Sequence, residues 1–215
     1  MGNDHIAVMF AGQGKPDREV VNDAPLPSRA ESRRAESLAL TIHAASVAAY
    51  RRLEATGCAP DVLIGHGLGE IAALVAAGAF TASEGAEIVA ARCRALAREA
   101  TGGYSMAVVR AAPPQVATLL SLVARDGVSL AAENSSRASV IVGPRRAMSA
   151  AAALAATLDL AFVPLGSIWA PHRRLSDETR RAFASTLLHL VQRPLQTPVF
   201  SPVSVAQELP TGHSS

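Results

Sequence analysis

The chain has 215 residues, 49% hydrophobic and 18% charged, which fits one globular domain, with or without a small inserted lobe, and excludes a disordered chain. Its 20 Lys and Arg against 18 Asp and Glu give a net charge of +2, too even for an electrostatic nucleic-acid binder with a basic stripe. Aromatics are only 4%, so Ala, Val and Leu must build the core. The first apolar run, Ile6–Phe10, reads as a buried strand ended by the turn Ala11-Gly12-Gln13-Gly14. Residues 15–35 are charged, contain proline and have no period, so they read as a surface loop. Residues 36–56 have apolar positions at helical spacing and close on Gly57, a helix with a glycine stop. Asp61–Ile64 reads as a short buried strand, and Gly65-His66-Gly67-Leu68-Gly69-Glu70 as a sharp turn into a helix over 69–78. A second helix is expected over about 82–101, with Thr81 and Ser83 both suited to cap it.

The middle of the chain has a different rhythm. Strands are expected at Met106–Arg110, Val128–Glu133, Ser139–Val142 and Leu160–Val163, and helices at Pro114–Arg125 and Ala147–Leu158. That βαββαβ order is the ferredoxin-like pattern, placed within an α/β core of alternating strands and helices. An irregular stretch around Trp169–Pro171, a helix over about 175–191 and a strand Pro198–Val203 follow, and the tail from Gln207 is polar and expected to fray. The start of the chain lacks the pattern of a signal peptide, and no run approaches a membrane span. Cys58 and Cys93 form neither a disulfide framework nor a zinc motif. A cytoplasmic, reduced protein is expected. The basic residues are nearly all Arg, with Lys15 the only lysine, and together with the many alanines this points to a GC-rich bacterial coding sequence.

Strand, G-x-?-x-G, helix is the geometry of a nucleophile elbow. The outer glycines permit the tight backbone, and the middle residue is held at a helix N-terminus where backbone N–H groups can stabilise an oxyanion. The middle residue here is Gly67, which offers no nucleophile. A dinucleotide fingerprint would want glycine where Glu70 stands, and the elements downstream do not continue a Rossmann half. A Gly-rich turn with no chemistry remains open on these residues alone.

Several segments in order carry a family resemblance. Phe10-Ala11-Gly12-Gln13-Gly14 resembles the F-P-G-Q-G start of the malonyl-CoA:acyl carrier protein transacylase family, which includes the acyltransferase domains of polyketide and fatty acid synthases. Residues 65–70 resemble its G-H-S-L-G-E elbow, Ala45–Arg51 the preceding helix, and Val89–Leu96 its V-x-x-R-x-R-x-L segment. Glu133–Ser136 and Val140–Gly143 resemble its N-x-P and V-V-x-G strands, and Trp169–His172 falls where the family carries its active-site histidine.

The resemblance implies a transacylase-type α/β core with an inserted ferredoxin-like small lobe. The core would comprise 1–103 and 165–206 and be incomplete at its C-terminus, the lobe 104–164, and the frayed tail 207–215. In the family a serine takes an acyl group from coenzyme A and passes it to the phosphopantetheine thiol of a carrier protein, with a histidine as base. Residue by residue, His172 matches that base, Gln13 the oxyanion-loop glutamine and Arg92 the arginine that pairs with a malonyl-type carboxylate. His66 and Leu68 flank the elbow, with the Leu68 N–H in the oxyanion position, and Asn134 matches the small-lobe asparagine. The implied ligands are acyl-CoA and phosphopantetheine thioesters, with no bound cofactor and no metal. The implied partners are an acyl carrier protein or a polyketide synthase module, with neither nucleic acid nor membrane.

Departures from the pattern bear on activity. Gly67 stands for the serine, Leu38-Ala39-Leu40-Thr41 for T-Q-P-A, and Arg173-Arg174 for small residues after the histidine. The stretch from Gln13 to the elbow is shorter than in the family, and the match ends near Val203. Three readings follow: an acyltransferase-like enzyme of altered mechanism, a non-catalytic homologue that docks on a carrier protein or synthase, and an inactive remnant. Cys93 reads as core more readily than as a replacement nucleophile. Gly67→Ser is expected to stabilise the chain by ~0.4–1 kcal/mol if the turn has negative φ.

Overall fold

A computed structural model describes residues 5–12, 29–99, 103–123, 126–165 and 176–201. They form two compact units, the first drawn from 5–12, 33–95 and 180–201, the second from 29–32, 96–99, 103–123, 126–165 and 176–179.

The first unit is built on a parallel three-stranded sheet of order β1-β2-β7, with β1 at Ala7–Phe10, β2 at Val62–Gly65 and β7 at Val199–Phe200. Val8 pairs with Leu63, and Leu63 with Val199. Alternation puts these three on one face, where α1 (Arg29–Ala55) and α2 (Leu68–Ala76) cover them through Val47, Tyr50, Ala72, Ala73 and Val75. Leu63 has no exposed surface, and burial of such a side chain contributes about 1.5–3 kcal/mol. The Phe10 and Tyr50 rings pack at 5.7 Å between centroids.

Helix α1 begins at Arg29, seven residues before the expected start at 36. Residues 29–36 are Arg, Ala, Glu and Ser, and local charge pattern hides that Ala35 is buried and that Glu36 lies 3.8 Å from Arg94. The helix stops where expected, with Gly57 at φ +84° and its N–H on the Glu54 carbonyl at 2.9 Å. Helix α3 (Ala82–Glu99) is capped by Thr81, not Ser83: Thr81 Oγ1 accepts the Glu84 N–H at 3.2 Å while a Glu84 carboxylate oxygen accepts the Thr81 N–H at 2.6 Å. Arg193 then donates to both Glu84 oxygens, at 2.7 and 3.1 Å.

The second unit carries an antiparallel sheet of order β4-β5-β3-β6: Tyr104–Arg110 (β3), Ser129–Ser135 (β4), Ala138–Pro144 (β5) and Ala161–Leu165 (β6). Helices α4 (Pro113–Val123) and α5 (Arg145–Thr157) fill one face with Val116, Leu119, Met148 and Ala151 against Ala107, Val109 and Ile141.

Helix α6 runs over Asp177–Thr186 and is shorter than the expected 175–191. Ser185 and Thr186 hydroxyls donate back to the Ala182 and Phe183 carbonyls, and Leu188 and Val191 beyond them are 82% and 73% exposed. Periodicity without a surface to bury it does not sustain a helix. No helix among the described residues is long and apolar enough to cross a membrane, and no cluster among them could hold a metal ion.

Candidate active site

The elbow follows the central strand of the parallel sheet. β2 is fixed at its start by Ile6, whose N–H donates to Asp61 Oδ2 at 2.7 Å and whose carbonyl accepts the Asp61 N–H at 2.8 Å. At its end the backbone turns at once into α2. A Cβ on Gly65 would lie 2.4 Å from Glu70 Cα, and one on Gly69 would lie 2.3 Å from the Phe10 carbonyl oxygen. Strand and helix therefore approach too closely for any side chain at either outer glycine. Gly12 faces the same turn, where a Cβ would lie 3.0 Å from the His66 carbonyl oxygen and 3.4 Å from its ring Nδ1.

Gly67 is different. Its φ of +59° and ψ of −109° place it in a region L-residues rarely occupy. Space does not forbid a side chain there, since the one atom near an added Cβ is Arg92 Nη2, at 3.9 Å. The positive φ removes the condition under which serine would stabilise this turn. Strain of roughly 1–3 kcal/mol opposes it instead. The Gly69 N–H donates to the His66 carbonyl at 3.0 Å and the Glu70 N–H to the Gly67 carbonyl at 3.3 Å. Those bonds occupy the second and third donors of α2. The Leu68 N–H, first on the helix, has no backbone acceptor outside regular ladders among the described residues.

Arg92 comes from α3 and turns its guanidinium toward Gly67. Its Nη1 is buried and has no hydrogen-bond partner among the described residues. Burial lowers its pKa from the ordinary arginine value, while the neighbouring Cys93 and Glu70 act in the opposite direction. A guanidinium keeps its charge in proteins, so this is a cation largely withdrawn from water with a donor unused, an arrangement completed by an anion. Its neighbour Cys93 is 1% exposed, and burial pushes its thiol up to about 11. At neutral pH it is a packed thiol, not a thiolate nucleophile.

Of the residues singled out in the sequence, the structure brings Gly67, Leu68, His66 and Arg92 to one place in the first unit. Asn134 lies on β4 of the second unit, exposed, where the β4–β5 ladder shifts register between Glu133 and Ser135. Gln13, His172 and the stretch Trp169–Arg174 lie outside the described residues.

Two features were not found by sequence reasoning. His43, on α1, is 3% exposed with neither ring nitrogen hydrogen-bonded among the described residues. A Cβ on Gly85 would lie 2.8 Å from His43 Nε2 and 2.4 Å from Val75. In the second unit, Glu99 Oε1 accepts from Ser176 Oγ and Thr179 Oγ1, both at 2.5 Å, and from the Ser176 N–H at 3.3 Å, which seats the start of α6. The Ser-Asp-Glu-Thr run hints at the cap, but its partner 77 residues away in sequence does not show in any local pattern.

The family model of the acyl transferase domain matches residues 18–214. The chain belongs to the acyl transferase domain family. It is 36% identical over 155 residues to the polyketide biosynthesis protein PksE of Bacillus subtilis, which covers 71% of this chain and 20% of PksE. It is 33% identical over 147 residues to erythronolide synthase EryA3 of Saccharopolyspora erythraea, covering 68% of this chain and 5% of that protein. The chain thus spans a fifth or less of these relatives. Among solved structures, the acyltransferase domain of phenolphthiocerol/phthiocerol synthase A from Mycobacterium bovis matches with a TM-score of 0.77 and 26% identity, covering 94% of this chain and 72% of that one. A malonyl CoA-acyl carrier protein transacylase from Burkholderia pseudomallei matches with a TM-score of 0.72 and 27% identity, covering 86% and 63%.

Proposed function

We propose that this chain binds acyl thioesters of coenzyme A or acyl carrier protein that bear a free carboxylate, within polyketide or fatty acid biosynthesis, and forms no serine acyl-enzyme. The observation that carries this reading is the Arg92 guanidinium, aimed at the elbow with a buried Nη1 that has no hydrogen-bond partner among the described residues, where it suits a two-pronged carboxylate contact. The thioester carbonyl would then point its oxygen at the Leu68 N–H at the start of α2, with Gln13 supplying a second donor and His66 flanking the site. Gly67 has no oxygen to acylate, so ping-pong transfer through an ester does not occur. In an altered mechanism His172 would take a proton from a bound water or acceptor, which attacks the thioester carbon and expels the thiol.

The absence of a side chain at Gly67 favours a second reading, in which the chain is a non-catalytic docking or scaffold homologue for a carrier protein or synthase module. The division into a core of 1–103 and 165–206, a small lobe of 104–164 that contributes Asn134 as a substrate-binding residue, and a tail of 207–215 belongs to the same proposal, as do a cytoplasmic location and a bacterial source.

Titration of the protein with malonyl-CoA and with acetyl-CoA, followed by calorimetry and intact mass, tests the reading. Malonyl-CoA should bind more tightly, Arg92→Gln should remove that preference, and no acyl adduct should survive unfolding. Equal binding of the two thioesters, or a stoichiometric adduct, would refute it. Release of free coenzyme A during the titration separates the enzyme from the docking homologue.

A further inference from the structure

Close packing explains two of the three elbow glycines and leaves the third unexplained. A Cβ on Gly65 or Gly69 would meet backbone at 2.4 or 2.3 Å. Over Gly67 the space is open. Apart from the adjoining residues, the one described atom within 4 Å of an added Cβ is Arg92 Nη2, at 3.9 Å. That distance is ordinary contact with a methyl-sized group, so the opening admits a CH2–S end and not a carbon that carries three methyls.

The same point lies beside the Leu68 N–H. A donor with its carboxylate on Arg92 and its carbonyl oxygen on the Leu68 N–H brings its thioester carbon over Gly67. The chain's own thiols do not reach this place. Cys93 is 1% exposed, and Cys58 precedes β2, whereas the elbow follows it.

We infer that the open space over Gly67 seats the acceptor: an unbranched primary thiol of a second molecule enters there and takes the acyl group from the bound thioester in one step, an assignment that rests on the thioester reading of the site. A thiol suits the place better than water or an alcohol, because a few per cent of it is thiolate at pH 7 without a base. The thiolate sulfur bonds to the carbonyl carbon, and the negative charge passes to the oxygen at the Leu68 N–H. Collapse breaks the bond to the coenzyme A sulfur, which leaves as thiolate and takes from solvent the proton that the acceptor gave up. One thioester replaces another, and nothing is oxidised or reduced. A sulfur in contact with Gly67 Cα stands about 3.5–4.0 Å from it. A side-chain carbon would project ~1.5 Å toward that sulfur, well inside contact distance, so the reaction itself requires glycine here.

The 215-residue chain is given malonyl-CoA with N-acetylcysteamine, a primary thiol, or with tert-butyl thiol, and the new thioester is followed by mass against the spontaneous exchange of each thiol. Calorimetry in parallel reads the binding of malonyl-CoA alone. N-acetylcysteamine should be acylated at least tenfold faster than spontaneously and saturably, with intersecting initial-velocity lines and no adduct on the protein. Tert-butyl thiol should show no acceleration. Gly67→Ala should lose the transfer while a cooperative unfolding transition shows it folded. Malonyl-CoA that binds without accelerated transfer would overturn the acceptor assignment and leave the thioester reading intact. Equal acceleration of both thiols, release of malonate in place of the new thioester, or transfer that persists in Gly67→Ala would overturn it as well. Failure of malonyl-CoA to bind would overturn both.

Discussion

Replacing Gly67 by serine puts the two determinants of the elbow, backbone strain and chemistry, in conflict. The added Cβ meets no clash, with Arg92 Nη2 at 3.9 Å as its nearest neighbour. The cost lies in the backbone, since a non-glycine residue at φ +59°, ψ −109° costs roughly 1–3 kcal/mol. Removing glycine restricts the unfolded chain and returns ~0.4–1 kcal/mol. The net expectation is a loss of about 1–2 kcal/mol, or roughly 2–8 °C in Tm for a chain of this size. Gly67→Ala carries the same strain without a hydroxyl, so calorimetry should give the two variants matching losses. Only the serine variant should gain mass on incubation with malonyl-CoA, and Arg92→Ala in that background should reduce the gain. A rise in Tm for either variant would refute the strain argument. A folded serine variant with neither adduct nor thioester hydrolysis would refute the view that the site lacks only its nucleophile, and would favour the docking homologue.

Gly69→Ala drives a Cβ to 2.3 Å from the Phe10 carbonyl oxygen and should cost at least ~1–3 kcal/mol by chemical denaturation, while Gly57→Ala, with open space around it, should cost less. Burial lowers the pKa of His43, so the unfolded chain takes up a proton that the folded chain resists. Its destabilising effect is absent above pH 6.5 and grows as pH falls through 6.5 toward the depressed folded value. Urea midpoints measured from pH 7.5 to 5 should therefore fall less steeply in His43→Leu, and an unchanged slope would remove His43 from the account. The Glu84 carboxyl, held at about 2 first by Arg193 and then by the Thr81 N–H, contributes stability above pH 4.5 that disappears as pH falls through about 2. In Arg193→Met its titration, followed by carboxyl-carbon NMR, should move up toward the ordinary range.

The sequence by itself determined the alternation of elements and the location of the elbow. Those features are local. Gly65, Gly67 and Gly69 between an apolar strand and a helix announce a tight turn and Gly57 announces a helix end, whereas Thr81 and Ser83 both suit the cap of α3 until the structure pairs Thr81 with Glu84. Only the tertiary structure decided what acts across distance. The sign of φ at Gly67 distinguishes a strained elbow from an ordinary turn, and no residue type reports it when glycine accepts either sign. The reason Gly69 cannot carry a side chain is the Phe10 carbonyl, 59 positions away in sequence. By charge and spacing Arg92 reads as an ordinary helix residue beside Arg94 and Arg98, the family resemblance alone sets it apart, and only the packing of α3 shows its Nη1 withdrawn from water. The start of α1 and the early stop of α6 were misjudged for the same reason. Periodicity records which side chains could be buried, and burial itself depends on a surface that another part of the chain must supply.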